Sequence, residues 1–217
     1  MIVKNDVFDS VLNEGCETRR EMKMFVPTVI EETYNGCSQV PLKVKHLTDR
    51  KIFLVGEITD TTSDDFVSEF IYFSKEDKPV DIYINSVGGS VNAGLVIYDM
   101  IQSCIDRFEI NMYCIGRAAS MGALLLAAGQ KGRRFILPHS TVMIHEPLID
   151  GGIGGSATSI KKTADSILET KKITNGILAK HTGKTLKEIN EATAFDNYMN
   201  AEEAIAFGIC DEIKNII

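Results

Sequence analysis

The sequence predicts an α/β fold in which parallel strands alternate with helices. Apolar runs of strand length recur along the chain, and each is followed by a stretch with apolar residues at helical spacing. This alternation repeats three times after residue 49. Parallel neighbours need crossover connections, which are nearly always right-handed. We therefore expect a mainly parallel sheet with helices packed against it.

Three strand–helix units account for the middle of the chain. Each strand is a short apolar run, and each helix carries its apolar residues in a periodic pattern. The strands are predicted at residues 51–56, 79–86 and 110–115, and the helices at residues 60–74, 91–104 and 121–128.

The rest of the chain is less regular. Residues 6–13 predict a short helix and residues 25–30 an extended segment limited by proline. Residues 151–155 contain four glycines, so they form a loop or bulged strand and not a helix. A long helix over 157–180 ends before Gly183 at the C′ position. Short strands are predicted at 133–137, 141–145 and 209–213, and short helices at 186–193 and 201–207.

Composition narrows the class of protein. The 217 residues are 44% hydrophobic and 24% charged, which fits one large folded domain with or without an appendage. The formal net charge of -7 argues against nucleic acid or an anionic membrane as the main partner. No apolar run approaches the ~20 residues of a membrane span, and residues 1–6 do not lead into the apolar core of a signal peptide.

The five cysteines are scattered along the sequence. They form no CxxC pair and no metal-ligand spacing with the four histidines. Free thiols in a reducing compartment account for this pattern, so we predict a cytoplasmic protein without a metal site.

Ser120 lies where the pattern first suggests chemistry. It precedes a helix that is apolar on every face and is therefore expected to be buried on all sides. The first turn of that helix directs backbone N–H groups at whatever lies beside Ser120. This arrangement fits a nucleophile beside an oxyanion hole. Serine is also a preferred N-cap, so a purely structural role stays open.

Other polar positions could meet this serine. The glycine pair at 88–89 joins a strand to a helix, and such turns lie on one side of a doubly wound sheet. His145 ends a strand and could act as a base, while Asp196 follows a helix break and could orient an imidazole. In purely structural terms, the same positions fit a tight turn, a structural histidine and a turn or N-cap carboxylate.

The sequence resembles the proteolytic subunits of Clp proteases, the ClpP family, over about residues 50–214. The matching motifs follow the family's order: Tyr83-Ile84-Asn85-Ser86, Gly88-Gly89-Ser90-Val91, Ala118-Ala119-Ser120-Met121-Gly122-Ala123, Leu125-Leu126-Ala127-Ala128-Gly129, Arg134-Phe135-Ile136-Leu137-Pro138, Met143-Ile144-His145-Glu146-Pro147-Leu148, His181-Thr182-Gly183, and Asp196 before Ala201-Glu202-Glu203-Ala204.

The resemblance implies a specific architecture. Residues 49–217 would form a catalytic domain with the fold that ClpP shares with crotonases, and residues 1–48 an N-terminal arm or axial segment. A handle at about residues 149–182, made of a strand at 151–155 and the following helix, would join two face-to-face rings. Each ring would hold seven subunits, so the homo-oligomer would be a tetradecamer.

The resemblance also implies a function. The chain would be a serine endopeptidase that degrades unfolded polypeptides inside a closed chamber, as the proteolytic subunit of an ATP-dependent Clp protease. Ser120 would be the nucleophile, His145 the general base and Asp196 its orienting carboxylate. The backbone N–H groups of Gly88 and Met121 would face the oxyanion. This chain would bind no cofactor or metal, because an AAA+ unfoldase partner would use the ATP; no GxxxxGK motif is present.

Two departures from the family's pattern keep further hypotheses open. Ala194-Phe195 stand where many members have an acidic residue and an arginine, and Asp81 stands where an aromatic residue is common on the ATPase-docking surface. They favour a second hypothesis, a structural or catalytically dependent ClpP paralogue in a mixed barrel. A third hypothesis, from another enzyme class, is an acyl-coenzyme A hydratase or isomerase of similar fold. A phage-type processing protease is an alternative within the serine peptidase class.

Overall fold

The computed structural model of the protein describes residues 26–34, 36–149 and 151–215. The predicted helix over residues 6–13 lies outside the described residues. The described part of the chain divides into two compact units, with the boundary between Asp49 and Arg50.

The first unit contains a β-hairpin and a short helix. Strand β1 (Thr28–Thr33) pairs antiparallel with β2 (Gly36–Pro41), and helix α1 covers Leu42–Thr48. The extended segment predicted at residues 25–30 is therefore observed from Thr28 onwards. Neither β2 nor α1 was predicted, because both are short and lack a clear apolar period.

The second unit is built on a seven-stranded sheet. Its elements are β3 (Lys51–Ile58), α2 (Asp60–Phe73), β4 (Val80–Gly89), α3 (Val91–Cys104), β5 (Ile110–Ala119), α4 (Met121–Ala127), β6 (Arg134–Ile136), β7 (Thr141–Ile144), α5 (Ala157–Thr182), α6 (Leu186–Ala192), β8 (Asn197–Met199), α7 (Ala201–Phe207) and β9 (Glu212–Ile213). The strand order is β3-β4-β5-β6-β9, with β7 paired to β5 and β8 paired to β7. Only the β7–β8 pair is antiparallel among these strands. The predicted α/β class is confirmed.

The two faces of the sheet have different environments. Ile82 and Ile84 of β4 are completely buried, while Tyr83 points to the opposite face because side chains alternate along a strand. There an aromatic ladder runs across four strands, made of the stacked rings of Phe53, Tyr83, Tyr113 and Phe135. Helix α4 is buried along its whole length, as its uniformly apolar sequence predicted.

Residues 151–155 form a loop, one of the two structures that their glycines predicted, and not the strand that the resemblance implied. Residues 151–156 form turns and irregular structure. Gly151, Gly152 and Gly155 adopt φ angles of 83, 81 and 128, which interrupt an extended strand. The last strand is also shorter than predicted, because the Ile209 and Cys210 N–H groups donate to the carbonyl of Ala204 and extend the end of α7.

Helix α5 is 26 residues long. The Ser156 hydroxyl accepts from the Ser159 N–H and caps it, and Gly183 ends it with a φ of 77. Only Thr174, Asn175 and Leu178 are buried, so the helix is anchored by its C-terminal half. Within the described ranges, no helix combines the length and apolar character needed to cross a membrane.

A buried ion pair joins β6 to the segment before β9. Arg134 is 1% exposed, and its guanidinium donates to both carboxylate oxygens of Asp211, at 2.8 and 2.6 Å. It also donates to the carbonyls of Ala127, His181 and Gly208. Burial alone raises the pKa of Asp211, but the hydrogen bonds and charge of Arg134 outweigh it and bring that pKa to about 2.

We expect Asp211→Asn to lower the free energy of unfolding by about 3–5 kcal/mol at pH 7, because it leaves a buried guanidinium without its counter-charge. Folding depresses the pKa of Asp211, so its stabilisation is present above about pH 4 and is lost as the pH falls towards 2. Urea unfolding of both proteins should show the gap between them narrowing over that window. Asp165→Asn, which removes an exposed pair with Lys161, is the control and should change little. Equal stability of Asp211→Asn and wild type at pH 7 would contradict this account.

Candidate active site

Ser120 lies in the turn between β5 and α4, and its backbone is strained. Its φ of 53 and ψ of -121 belong to a region that residues other than glycine rarely adopt. The Ser120 N–H donates to the carbonyl of Met143 in β7 at 2.8 Å, which holds the turn in place. The side chain makes no capping bond to α4. The hydroxyl is therefore not used as an N-cap.

The Ser120 hydroxyl instead contacts His145. The Oγ of Ser120 is 2.9 Å from Nε2 of His145, and Nδ1 of His145 is 3.0 Å from Oδ1 of Asp196. An ionised carboxylate can only accept a hydrogen bond, so Nδ1 carries the hydrogen and Nε2 is left to accept from the hydroxyl. The structure thus brings together the three side chains that the sequence singled out.

Strand pairing explains how residues far apart in sequence meet here. His145 directly follows β7 and Asp196 directly precedes β8. The antiparallel register pairs Ile144 with Asn197, so the imidazole and the carboxylate become neighbours. His145 is mostly shielded, with 16% of its side chain exposed, whereas 55% of the Asp196 side chain is exposed.

Gly88 contributes to the site through its missing side chain. A Cβ at Gly88 would lie 2.6 Å from the Cβ of Ser120 and 3.1 Å from the nitrogen of Met121, so only glycine fits. The Gly88 N–H, which the resemblance assigned to the oxyanion, donates here to the Ser86 hydroxyl at 3.0 Å. That hydroxyl in turn donates to the carbonyl of Gly56 at 2.6 Å. This donor is therefore already engaged.

Met121 offers the second backbone donor named in the prediction. It is the first residue of α4, so its N–H has no acceptor within the helix. It directly follows Ser120, which places a helix N-terminus with its partial positive charge beside the hydroxyl. Such a position favours a negative charge that develops on a reacting oxygen.

A small apolar cavity of about 30 Å³ opens beside Ser120. Its walls come from the turn itself, from the end of β7 and from the buried face of α5. The lining residues are Val91, Ser120, Met121, Leu124, Ile144, His145, Pro147, Thr174 and Leu178. No acidic or basic side chain other than the imidazole lines it, so it suits an apolar group of modest size.

Other reactive side chains are held away from such chemistry. Burial, then the charges of Lys180 and Arg134, lower the pKa of His181 to about 4, and its ring lies 3.1 Å from the Tyr98 hydroxyl. Burial also raises the pKa of the Cys114 thiol to about 12. Across the described residues, no group of three His, Cys, Asp or Glu side chains is arranged to hold a metal ion.

Two supporting contacts of this site were not predicted. The Ser86 hydroxyl accepts from the Gly88 N–H at the end of β4, and the Thr193 carbonyl accepts from the Glu146 N–H at 2.7 Å. Ser86 belongs to the motif that carried the resemblance, but its sequence position does not indicate which groups it bonds. Thr193 was noted only as a helix end.

A sequence model of the Clp protease family matches residues 38–216. The match covers most of the chain, including the whole parallel sheet and every residue of the site described above.

Proposed function

The chain belongs to the Clp protease family, a family of ClpP-type serine peptidases, and from this premise we propose that it is a self-compartmentalised serine endopeptidase that degrades unfolded polypeptides. The contacts of His145 with Ser120 at 2.9 Å and with Asp196 at 3.0 Å carry the proposal. These two contacts connect a hydroxyl to a base and the base to an orienting carboxylate, which is the arrangement that acyl transfer by a serine requires.

The proposed reaction has two halves. Ser120 Oγ attacks the scissile carbonyl while His145 Nε2 takes its proton, and the imidazolium then gives that proton to the leaving amine. In the second half, water attacks the resulting ester while His145 takes its proton. The carboxylic acid product leaves, and His145 returns the proton to the Ser120 oxygen. Asp196 keeps the imidazole in the required tautomer. The Met121 N–H stabilises the oxyanion, and the Gly88 N–H joins it only by exchanging its bond to Ser86.

The cavity beside Ser120 predicts the substrate preference. We expect fluorogenic peptides with an apolar residue before the scissile bond to have a kcat/KM at least about tenfold above matched peptides with Asp or Lys there, since an apolar cavity offers a charge no partner. A series that differs only at this residue measures the preference. Equal rates for Leu and Asp peptides would contradict the assignment of this cavity.

Family membership implies an oligomer that works with an ATPase. We propose two stacked rings of seven subunits. The exposed apolar residues Leu148, Ile160 and Leu168 on α5 and the segment before it support this, since neighbouring subunits would cover them. Phe53, at one end of the aromatic ladder, is 43% exposed and supports docking of an apolar loop from an AAA+ unfoldase. That partner would use ATP, with no cofactor in this chain.

The cellular compartment is part of the proposal. Cys37, Cys104, Cys114 and Cys210 are all free in the part of the chain that the structure describes. Free thiols fit a reducing environment and support a cytoplasmic location.

The decisive experiment combines activity, labelling and mass on one purified sample. We expect cleavage of a small peptide without added protein, modification of Ser120 by a fluorophosphonate as located by mass spectrometry, and a mass of fourteen subunits. Labelling without cleavage until a paralogue is added would favour the dependent-subunit hypothesis. A label on another residue, or none, would overturn the peptidase assignment.

A further inference from the structure

Asp196 must hold the imidazole of His145 in position, although the Asp196 side chain is not itself fixed by burial. More than half of its side chain is exposed, and it lies in the short connection between α6 and β8. An exposed carboxylate on a connecting segment has many accessible positions unless its backbone is anchored. The alignment of Asp196 therefore depends on what anchors this segment.

Thr193 provides the anchor three residues before Asp196. It is fully buried, and its carbonyl accepts from the N–H of Glu146, the residue after His145, at 2.7 Å. The segments that carry the imidazole and the carboxylate are thus joined through this single bond as well as through the β7–β8 pair. Any shift of Thr193 is passed to both sides of the His145–Asp196 contact.

Asn175 links Thr193 to helix α5. Its Nδ2 donates to Thr193 Oγ1 at 3.2 Å and to Asn190 Oδ1 at 2.7 Å. The Thr193 hydroxyl itself donates to the carbonyl of Ile189 at 2.8 Å. Asn175 is buried, so this link is shielded from competition by water.

The buried amide of Asn175 is only partly hydrogen-bonded. Its Oδ1 is buried and has no hydrogen-bond partner among the residues described. Exchanging the positions of Oδ1 and Nδ2 would leave Nδ2 unpaired instead. It would also place Oδ1 beside the Thr193 hydroxyl, which already donates its hydrogen to the Ile189 carbonyl. An unpaired buried polar atom is destabilising and offsets part of what the two Nδ2 hydrogen bonds contribute, whereas leucine has the same branched shape without a polar atom, although it is larger. The net contribution of this amide to stability is therefore small.

We propose that Asn175 is a positioning residue for catalysis, which acts through Thr193 on the Asp196–His145 contact. The inference rests on the proposed peptidase function. Asn175 and Thr193 do not line the cavity beside Ser120, so they should affect the chemical step and not substrate binding. Helix α5, which supplies Asn175, would thereby be coupled to the alignment of the reacting groups.

The first test compares activity with stability. We expect Asn175→Leu to lower kcat about 10–100-fold with KM unchanged, because small displacements of catalytic groups have effects of this size. Its labelling by a fluorophosphonate should slow by a similar factor, while its melting temperature stays well above the assay temperature and its oligomer mass stays at the wild-type value. Unchanged kcat would overturn the proposal, and so would a loss of activity that follows a loss of melting temperature or assembly.

The second test follows the route through Thr193. Thr193→Val, which has the same shape without the hydroxyl, should resemble Asn175→Leu, and Thr193→Ser should keep wild-type activity. The double variant Asn175→Leu/Thr193→Val should be no slower than either single variant, since both break one link. Asn190→Ala removes the other acceptor of the amide and should leave kcat within about twofold. Losses of kcat that add in the double variant, or a loss in Asn190→Ala as large as in Asn175→Leu, would refute the proposed route through Thr193.

Two safeguards keep the outcomes separate. If Asn175→Leu does not fold, the Thr193→Val and Thr193→Ser pair decides alone, with equal activities overturning the inference. Wild-type protein that neither cleaves peptides nor reacts with the fluorophosphonate contradicts the peptidase function itself, whereas active wild type with active Asn175→Leu contradicts only the role of Asn175.

Discussion

Replacing Ser120 by alanine is expected to lower kcat for a fluorogenic peptide by about 10⁶-fold, the loss typical when the serine of such a catalytic unit is removed. The physical reason is the loss of the oxygen that lies 2.9 Å from His145 Nε2 and would form the acyl-enzyme. Residual turnover would come from backbone donors and substrate binding alone. Initial rates and fluorophosphonate labelling of the purified variant measure both effects.

The same variant separates the catalytic role of Ser120 from the structural one. If the hydroxyl capped α4, its loss would lower the free energy of unfolding by about 0.5–2 kcal/mol. Because Ser120 makes no capping bond, we expect no such change in urea unfolding. Ser103→Ala removes an exposed hydroxyl that bonds the Met100 carbonyl within α3, and is the matched control with wild-type activity. A Ser120→Ala protein with wild-type kcat and reduced stability would restore the capping interpretation.

The strand–helix units could be predicted because their signals are local. The helices over Val91–Cys104 and Ala201–Phe207 begin and end where the sequence predicted. In both, a side-chain cap precedes a stretch of helical periodicity. The buried strands were equally clear, since short apolar runs between helices have few other interpretations.

The pairing that assembles the site has no local signal. Strand β8 is only Asn197–Met199, too short and too polar to predict. Its register with β7 brings Asp196 to His145. The sequence positions of these residues left a purely structural role open, and the family resemblance then implied that they meet. The strained φ of Ser120 was equally hidden, because serine gives no indication of positive φ.

Hydrogen-bond partners were the least predictable part. The glycine pair predicted a turn on the same side of the sheet as Ser120, but not that only glycine fits against Ser120 or that the Gly88 N–H bonds the Ser86 hydroxyl. The resemblance suggested a strand over residues 151–155, where positive φ angles break the extended backbone. Composition and periodicity specify neither the hydrogen-bond partner of a hydroxyl nor the φ angle of a glycine, even where the two groups are as close in sequence as Ser86 and Gly88.

Asp196→Asn is expected to lower kcat by about 10⁴-fold with little change in KM. Asparagine keeps the size of the side chain but removes the charge that favours the Nδ1–H tautomer of His145, so Nε2 is no longer reliably the acceptor for the Ser120 proton. The attacking hydroxyl remains present, so fluorophosphonate labelling should slow severely without disappearing. This distinguishes the variant from Ser120→Ala, in which labelling is abolished.

Because Asp196 is exposed, its substitution should change catalysis without changing stability. With 55% of the side chain accessible, the substitution neither buries a charge nor opens a cavity, and the melting temperature should stay unchanged. Asp64→Asn, an exposed carboxylate on α2, is the control for a lost surface charge and should keep wild-type kcat. Adding Asn175→Leu to Asp196→Asn should cause little further loss, because the contact that Asn175 supports has already lost its function. An Asp196→Asn protein within about tenfold of wild-type kcat would show that the carboxylate does not orient the base, and would remove the premise for Asn175 with it.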